Sequence, residues 1–178
     1  MISPEHSKSY NNPPLEIERK FLVYSLPEDL FNFQYELIRQ GYLAIENNGT
    51  EVRVRQQDNL YTLTVKSDGL ISRQELEINI DQNQFNTLWI GTESKRIEKK
   101  RYKYPYQEKN NDNWHKHFIE LDIYDGELSG LVIAEIEFNN EDEAHNFVPP
   151  NWLDKEVTMI MSYKNKNLAV YGLPQNYK

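Results

Sequence analysis

The sequence predicts a mainly β (α+β) chain: an eight-stranded antiparallel β-barrel, closed or nearly so, with a polar interior and a few short flanking helices. Three observations lead there. Segment after segment alternates apolar and polar residues with a period of two, the mark of a strand with one buried face. Short turn signals such as Asp58-Asn59, Ser67-Asp68-Gly69 and Asp125-Gly126 separate these segments at the spacing of a meander. A sheet of so many strands also exposes unpaired edges unless it curls onto itself.

Residues 1–14, with Asn11-Asn12 and Pro13-Pro14, have no periodicity and read as a flexible leader. Leu15 to Val23 is the first strand, with Glu16, Glu18 and Lys20 on one face and Leu15, Ile17, Phe21 and Val23 on the other. Ser25 to Leu30, with Pro27, reads as a short helix or turn. Tyr35 to Ile45 mixes apolar and polar residues around Gly41, which marks a bend or bulge. Clean alternation returns in Thr50 to Gln56 and Leu60 to Lys66, a hairpin across Asp58-Asn59, and again in Ser72 to Ile80. Asp81 caps a helix whose apolar stripe is Phe85, Leu88 and Trp89. A basic strand, Ile97 to Tyr104, ends at Pro105 and gives way to a polar loop through Asn113. Phe118 to Tyr124 and Leu131 to Phe138 make the next hairpin. Asn140 caps a short acidic helix over 141–148, stopped by Pro149-Pro150, and Ser162 to Ala169 forms a final helix.

The 178 residues are most economically one domain, residues 15–178. No Cys is present, which excludes disulfides, thiolate zinc sites and cysteine nucleophiles. A net charge of −8 argues against non-specific nucleic-acid binding. No apolar run reaches the ~20 residues of a membrane span and the amino-terminus does not resemble a signal peptide, so the expected setting is the cytoplasm, without a membrane partner, as monomer or homodimer.

The polar faces carry the chemistry. They collect Glu16, Glu18 and Lys20; Arg53 and Arg55; Lys66; Arg73, Glu75 and Glu77; Lys99 and Arg101; Glu120 and Asp122; Glu135 and Glu137. A solvated face usually mixes charge with Ser, Thr, Asn and Gln, whereas here Glu neighbours Glu and Arg neighbours Arg, an arrangement that costs stability in a sheet. Facing one another inside a barrel, these rows make sense around a ligand that offers anionic oxygens to Arg and Lys and cations to the carboxylates. A polyphosphate with Mg²⁺ or Mn²⁺ has both features. The competing arrangement is an ordinary barrel with an aliphatic centre and its charges in water.

The ordered set E-x-E-x-K, R-V-R, T-V-K, R-Q-E-L-E, K-K-R, E-L-D and A-E-I-E, ending in K-E-V-T and Y-K-N-K-N-L-A, resembles the CYTH superfamily, the triphosphate tunnel metalloenzymes, over roughly residues 15–172. It is most similar to the small bacterial and plant-type tripolyphosphatase branch. The resemblance implies an eight-stranded tunnel and a metal-dependent triphosphatase acting on a small-molecule triphosphate, inorganic tripolyphosphate first. It assigns Lys20, Arg53, Arg55, Lys66, Lys99 and Arg101 to phosphate, with Arg73 beside them. Glu16, Glu18, Glu135 and Glu137 go to the metal, and Glu75, Glu77, Glu120 and Asp122 to support. Glu16, Glu18, Lys20 and Glu137 are the expected catalytic group. The alternatives are ATP cyclisation, as in the class IV adenylate cyclases of this superfamily, and a polyphosphate or nucleotide sensor without turnover. The sequence departs from the branch where Val157-Thr158 runs into Met159-Ile160-Met161, which predicts different packing of the last helix at the tunnel mouth. His6, His115, His117 and His145 read as surface residues, and the twelve Tyr as outer cover of the barrel.

Overall fold

The computed structural model describes residues 15–46, 49–67, 72–110, 113–175 and 177; the expected leader, 1–14, lies outside them. The strands are β1 (Leu15–Val23), β2 (Tyr35–Ile45), β3 (Glu51–Gln57), β4 (Leu60–Lys66), β5 (Ser72–Asn79), β6 (Arg96–Asn110), β7 (Asn113–Tyr124), β8 (Val132–Phe138) and β9 (Leu153–Glu156). The helices are α1 (Gln82–Ile90), α2 (Glu141–Asn146) and α3 (Asn165–Tyr171), with short 3₁₀ turns at Leu30–Asn32, Gly126–Leu128 and Met161–Tyr163. The protein is therefore mainly β, with nine antiparallel strands among the described residues rather than the eight expected.

The strands run in the order β5-β4-β3-β2-β6-β7-β8-β1-β9, every pair antiparallel. The far edge of β1 is shared: its start pairs with β5 (Leu15↔Gln74, Glu16↔Arg73, Ile17↔Ser72) and its end with β9 (Phe21↔Glu156, Val23↔Leu153). Turn chemistry sets the meander. Asp58 adopts φ 51° between β3 and β4, a left-handed conformation that Asp tolerates. Asp81 and Gln84 close a reciprocal capping box at the start of α1.

Two apolar clusters flank the polar face. Ile17, Phe21, Tyr102, Ile119, Leu121, Ala134 and Ile136 turn outward from β1, β6, β7 and β8 and are roofed by Leu30, Ala144, Phe147 and Leu153. The roof hides the aliphatic face of the sheet, and Arg19 ties it down by donating to the carbonyls of Ala144 and Phe147 and to Glu156. The second cluster, Ile97, Tyr124, Leu131, Ile133, Val157, Tyr163 and Leu168, continues the inward rows at one end and packs beneath α3. At that end the polar rows thus give way to apolar side chains.

Four local expectations need correction. β6 does not stop at Pro105 but runs through it to Asn110, with Pro105 opposite Phe118. Pairing with β2 ends at Tyr102, so beyond it β7 is the only partner among the described residues and a missing N–H on the open side breaks no ladder bond. Gly41 is not itself the bulge: the register shift lies between Tyr42 and Ala44. Gly41 instead lets β2 approach Thr92, because a Cβ there would lie 2.5 Å from its Oγ1 and 2.6 Å from its Cβ. Met159 and Met161 face outward, 57% and 44% exposed, and only Ile160 packs under α3. Tyr102, Tyr104 and Tyr106 do cover the outer face, but Tyr42 and Tyr124 are fully buried within the inward rows.

Gly41→Ala is expected to destabilise the fold by about 1–3 kcal/mol, since Thr92 cannot yield without breaking its bonds to the Trp89 carbonyl and Arg96. A urea melt checks this, and an unchanged midpoint would show that β2 and the α1–β6 connection move freely apart.

Candidate active site

Strand register alone brings the charged rows together. On β1, β8, β7 and β6, Lys20, Glu135, Glu120 and Lys103 stand side by side, and one step along, Asp122 faces Arg101. On the other wall Glu51, Lys66 and Glu75 form one rung and Arg53, Thr64 and Glu77 the next. Glu18, Lys20, Arg53, Lys66, Lys99, Arg101, Asp122 and Glu135 are all buried, an arrangement possible for ions only where opposite charges meet.

They meet across strands. Lys20 pairs with Glu135 and, at 3.3 Å, with Glu18. Lys66 donates to Glu16 at 2.7 Å and pairs with Glu75 at 2.6 Å. Lys99 pairs with Asp122. Arg101 spreads over three carboxylates: Glu120, both oxygens of Asp122 at 2.6 Å, and Glu135 at 2.6 Å. Arg53 reaches Glu75 only at 3.5 Å, and Arg55 donates to Gln40 at 2.9 Å. Thr64 donates to Glu77 at 2.8 Å. The Arg73 side chain lies outside the described residues, though its backbone stands opposite Glu16.

The proton affinities report a positive centre and a negative rim. Burial, then the neighbouring charges of Arg53 and Arg101, lower Arg55 to about 10. Burial, then Arg101, pulls Lys99 down to about 8 against the attraction of Asp122. Burial alone would raise the Glu135 carboxyl, but Lys20, Lys99 and Arg101 hold it well below the usual carboxylate range. Glu137 is pushed up by burial and then by Glu120, Glu16, Glu18 and Glu135 together. It lines a mouth cavity of about 680 Å³ with Glu120, Lys103, Lys116 and His117.

No three Asp, Glu or His side chains among the described residues stand ready as a metal cluster. Glu16 and Glu135 are engaged by lysines and Arg101 instead. The donor set nevertheless suits a hard divalent cation: Glu16, Glu18, Glu120 and Glu135 all lie close enough to Glu137 to raise its carboxyl, and the ligands are oxygen only.

Several inward residues escaped the sequence. Lys103 continues the alternation of Lys99 and Arg101, and Thr62 and Thr64 precede Lys66 in the same phase, so that pattern contained them. Gln40, Tyr42 and Tyr124 carry no charge to flag them. Lys166 enters from α3, donating to the Gly49 carbonyl at 2.6 Å beside Glu51 at 3.6 Å, and no strand pattern could have placed it. Among the histidines, His117 packs edge-on to Phe138 and Phe147 and His145 sits exposed on α2. His6 and the His115 side chain lie outside the described residues. No described helix is long and apolar enough to cross a membrane.

Known proteins share this framework. A relative from Nitrosomonas europaea named inorganic triphosphatase is 45% identical over 157 residues, covering 87% of this chain and 97% of its own. A second, from Acetivibrio thermocellus and of the same name, is 38% identical over 158 residues, or 86% of this chain and 92% of its own. The crystal structure of an inorganic triphosphatase, 44% identical, matches with a TM-score of 0.61 over 87% of this chain and 94% of that one. A Pyrococcus horikoshii structure at 18% identity and TM-score 0.52, covering 78% and 94%, shares the fold. Residues 14–158 match the CYTH domain, and with relatives this similar along nearly their whole length, the chain belongs to the CYTH family.

Proposed function

We propose that the protein is a divalent-metal-dependent triphosphatase that hydrolyses inorganic tripolyphosphate to pyrophosphate and orthophosphate. The single observation that carries this is the convergence of Arg53, Arg55, Lys66, Lys99 and Arg101, with Lys20, on one buried channel face. Like charges this close raise one another's energy, and a polyanion relieves all of them at once. The two triphosphatase relatives support the choice of substrate.

The channel reading is of eight strands, β1 to β8, closing into a tunnel; the pairing of β1 with β5 supports it. Phosphoryl transfer asks mainly for positioning and charge neutralisation. Arg53, Arg55 and Lys99 hold phosphate oxygens, Lys20 and Lys66 neutralise from β1 and β4, and Arg73 adds to them from β5. Glu75, Glu77, Glu120 and Asp122 orient these cations. Glu16, Glu18, Glu135 and Glu137 would hold Mg²⁺ or Mn²⁺, which when bound supplies charge neutralisation of the phosphates and a more acidic water. Carboxylates of the same rim then take the proton of the attacking water.

Incubation with tripolyphosphate, ATP and thiamine triphosphate, each with Mg²⁺ and with Mn²⁺, tests this. Orthophosphate is expected from tripolyphosphate, and none after EDTA. Cyclic AMP from ATP would establish the cyclase alternative, and stoichiometric binding without product the sensor. EDTA-resistant turnover would remove the metal from the mechanism.

A further inference from the structure

Two buried polar atoms in the channel wall have no hydrogen-bond partner: Nε of Arg53 and Oγ1 of Thr62. They sit on neighbouring strands. Arg53 of β3 faces Thr64 of β4 and Arg55 faces Thr62, so Arg53 and Thr62 are diagonal neighbours on one face. The adjoining Tyr61 packs on Phe85 of α1 with ring centroids 5.2 Å apart, so α1 covers the opposite face of β4. Thr62 therefore points into the channel with Thr64 and Lys66.

Those two neighbours are engaged, Thr64 with Glu77 and Lys66 with Glu16. Thr62 is not. A buried hydroxyl left without a partner is unfavourable, and such exceptions in a native fold call for an explanation. Both free atoms carry hydrogens to donate, and Arg55, which faces Thr62, feels the cations Arg53 and Arg101 more strongly than the carboxylates Glu135 and Glu77. The missing partner is an anionic acceptor.

We propose that Thr62 is a substrate-contacting residue whose hydroxyl donates to a phosphate oxygen of the bound triphosphate, beside the Nε–H of Arg53 on the adjacent strand. This rests on the triphosphatase reading above. The two atoms define a neutral-plus-charged donor pair for one phosphoryl group, on the wall opposite the Glu120–Glu135–Glu137 rim.

The test compares Thr62→Val, which keeps shape and loses the hydroxyl, with Thr62→Ser, which keeps the hydroxyl. Thr62→Val is expected to raise KM for tripolyphosphate about tenfold, the change produced by one hydrogen bond to a charged group. Its thermal midpoint without ligand should equal or exceed that of the wild type, because no bond within the protein is lost. Thr62→Ser should return KM to within about threefold of wild type. A KM for Thr62→Val indistinguishable from wild type, or a clear fall in its ligand-free midpoint, overturns the proposal. If the wild type hydrolyses nothing, the triphosphatase reading fails, and Thr62 is judged by the midpoint shift that tripolyphosphate produces in EDTA. A shift that shrinks in Thr62→Val supports the contact; an equal shift in both, or none in the wild type, overturns it.

Discussion

Arg101→Ala will lower the stability of the free protein by about 3–5 kcal/mol, the cost of leaving buried carboxylates without their cation. Arg101 is 6% exposed and is the shared partner of Glu120, Asp122 and Glu135, from two neighbouring strands. Burial by itself would lower its proton affinity, yet Asp122 and Glu135 raise it well above the ordinary value, so the guanidinium is bound to its surroundings by charge. Lys99 still reaches Asp122 in the variant, but Glu120 loses its ion pair with Arg101. Arg101→Lys will recover little, since an ammonium cannot serve three carboxylates through a planar fork. Guanidinium chloride unfolding measures the loss, and tripolyphosphate turnover at a temperature where the variant is still folded should fall by on the order of 10²–10³-fold. Near-wild-type stability would mean that the carboxylates are neutralised by protons rather than by Arg101.

Glu137→Gln should separate stability from activity in the opposite sense. Glu137 is exposed to the mouth cavity, and its carboxyl is raised by burial and then by Glu120, Glu16, Glu18 and Glu135. A group whose folded pKa lies above its unfolded value costs stability at pH values where it must ionise. Removing that charge should leave the metal-free protein at least as stable as wild type at neutral pH. Turnover at saturating Mg²⁺ or Mn²⁺ should nevertheless drop by on the order of 10²-fold, since the proposed function gives this carboxylate to the metal. A variant that is less stable and equally active would reverse both roles, making Glu137 a structural anion. Paired melting curves and initial rates at pH 7 decide between them.

Most of the channel was legible because its charges occur at every second residue. Glu16-Glu18-Lys20, Arg53-Arg55 and Lys99-Arg101 need only a strand's period of two to share a face, and one apolar face per strand fixes which. Tyr124 follows Glu120 and Asp122 in the same phase, but its uncharged ring carries nothing to set it apart from the tyrosines of the outer face, and the register shift between Tyr42 and Ala44 disturbs the phase of β2 next to Tyr42. The features missed are those set by distant neighbours. Leu153–Glu156 becomes β9 only because β1 offers a free edge at Phe21 and Val23. Pro105 fits a strand only because β6 has outrun β2. Arg101's three partners follow from register across β6, β7 and β8, which local sequence does not encode.

The most direct measurement is a crystal structure of the protein grown with tripolyphosphate in EDTA. Three phosphorus atoms should lie inside the channel, with oxygens within hydrogen-bonding distance of Arg53, Arg55 and Lys99. Tripolyphosphate bound to the outer face of the sheet, or a channel holding only solvent at saturating ligand, would contradict the assignment of these rows to substrate.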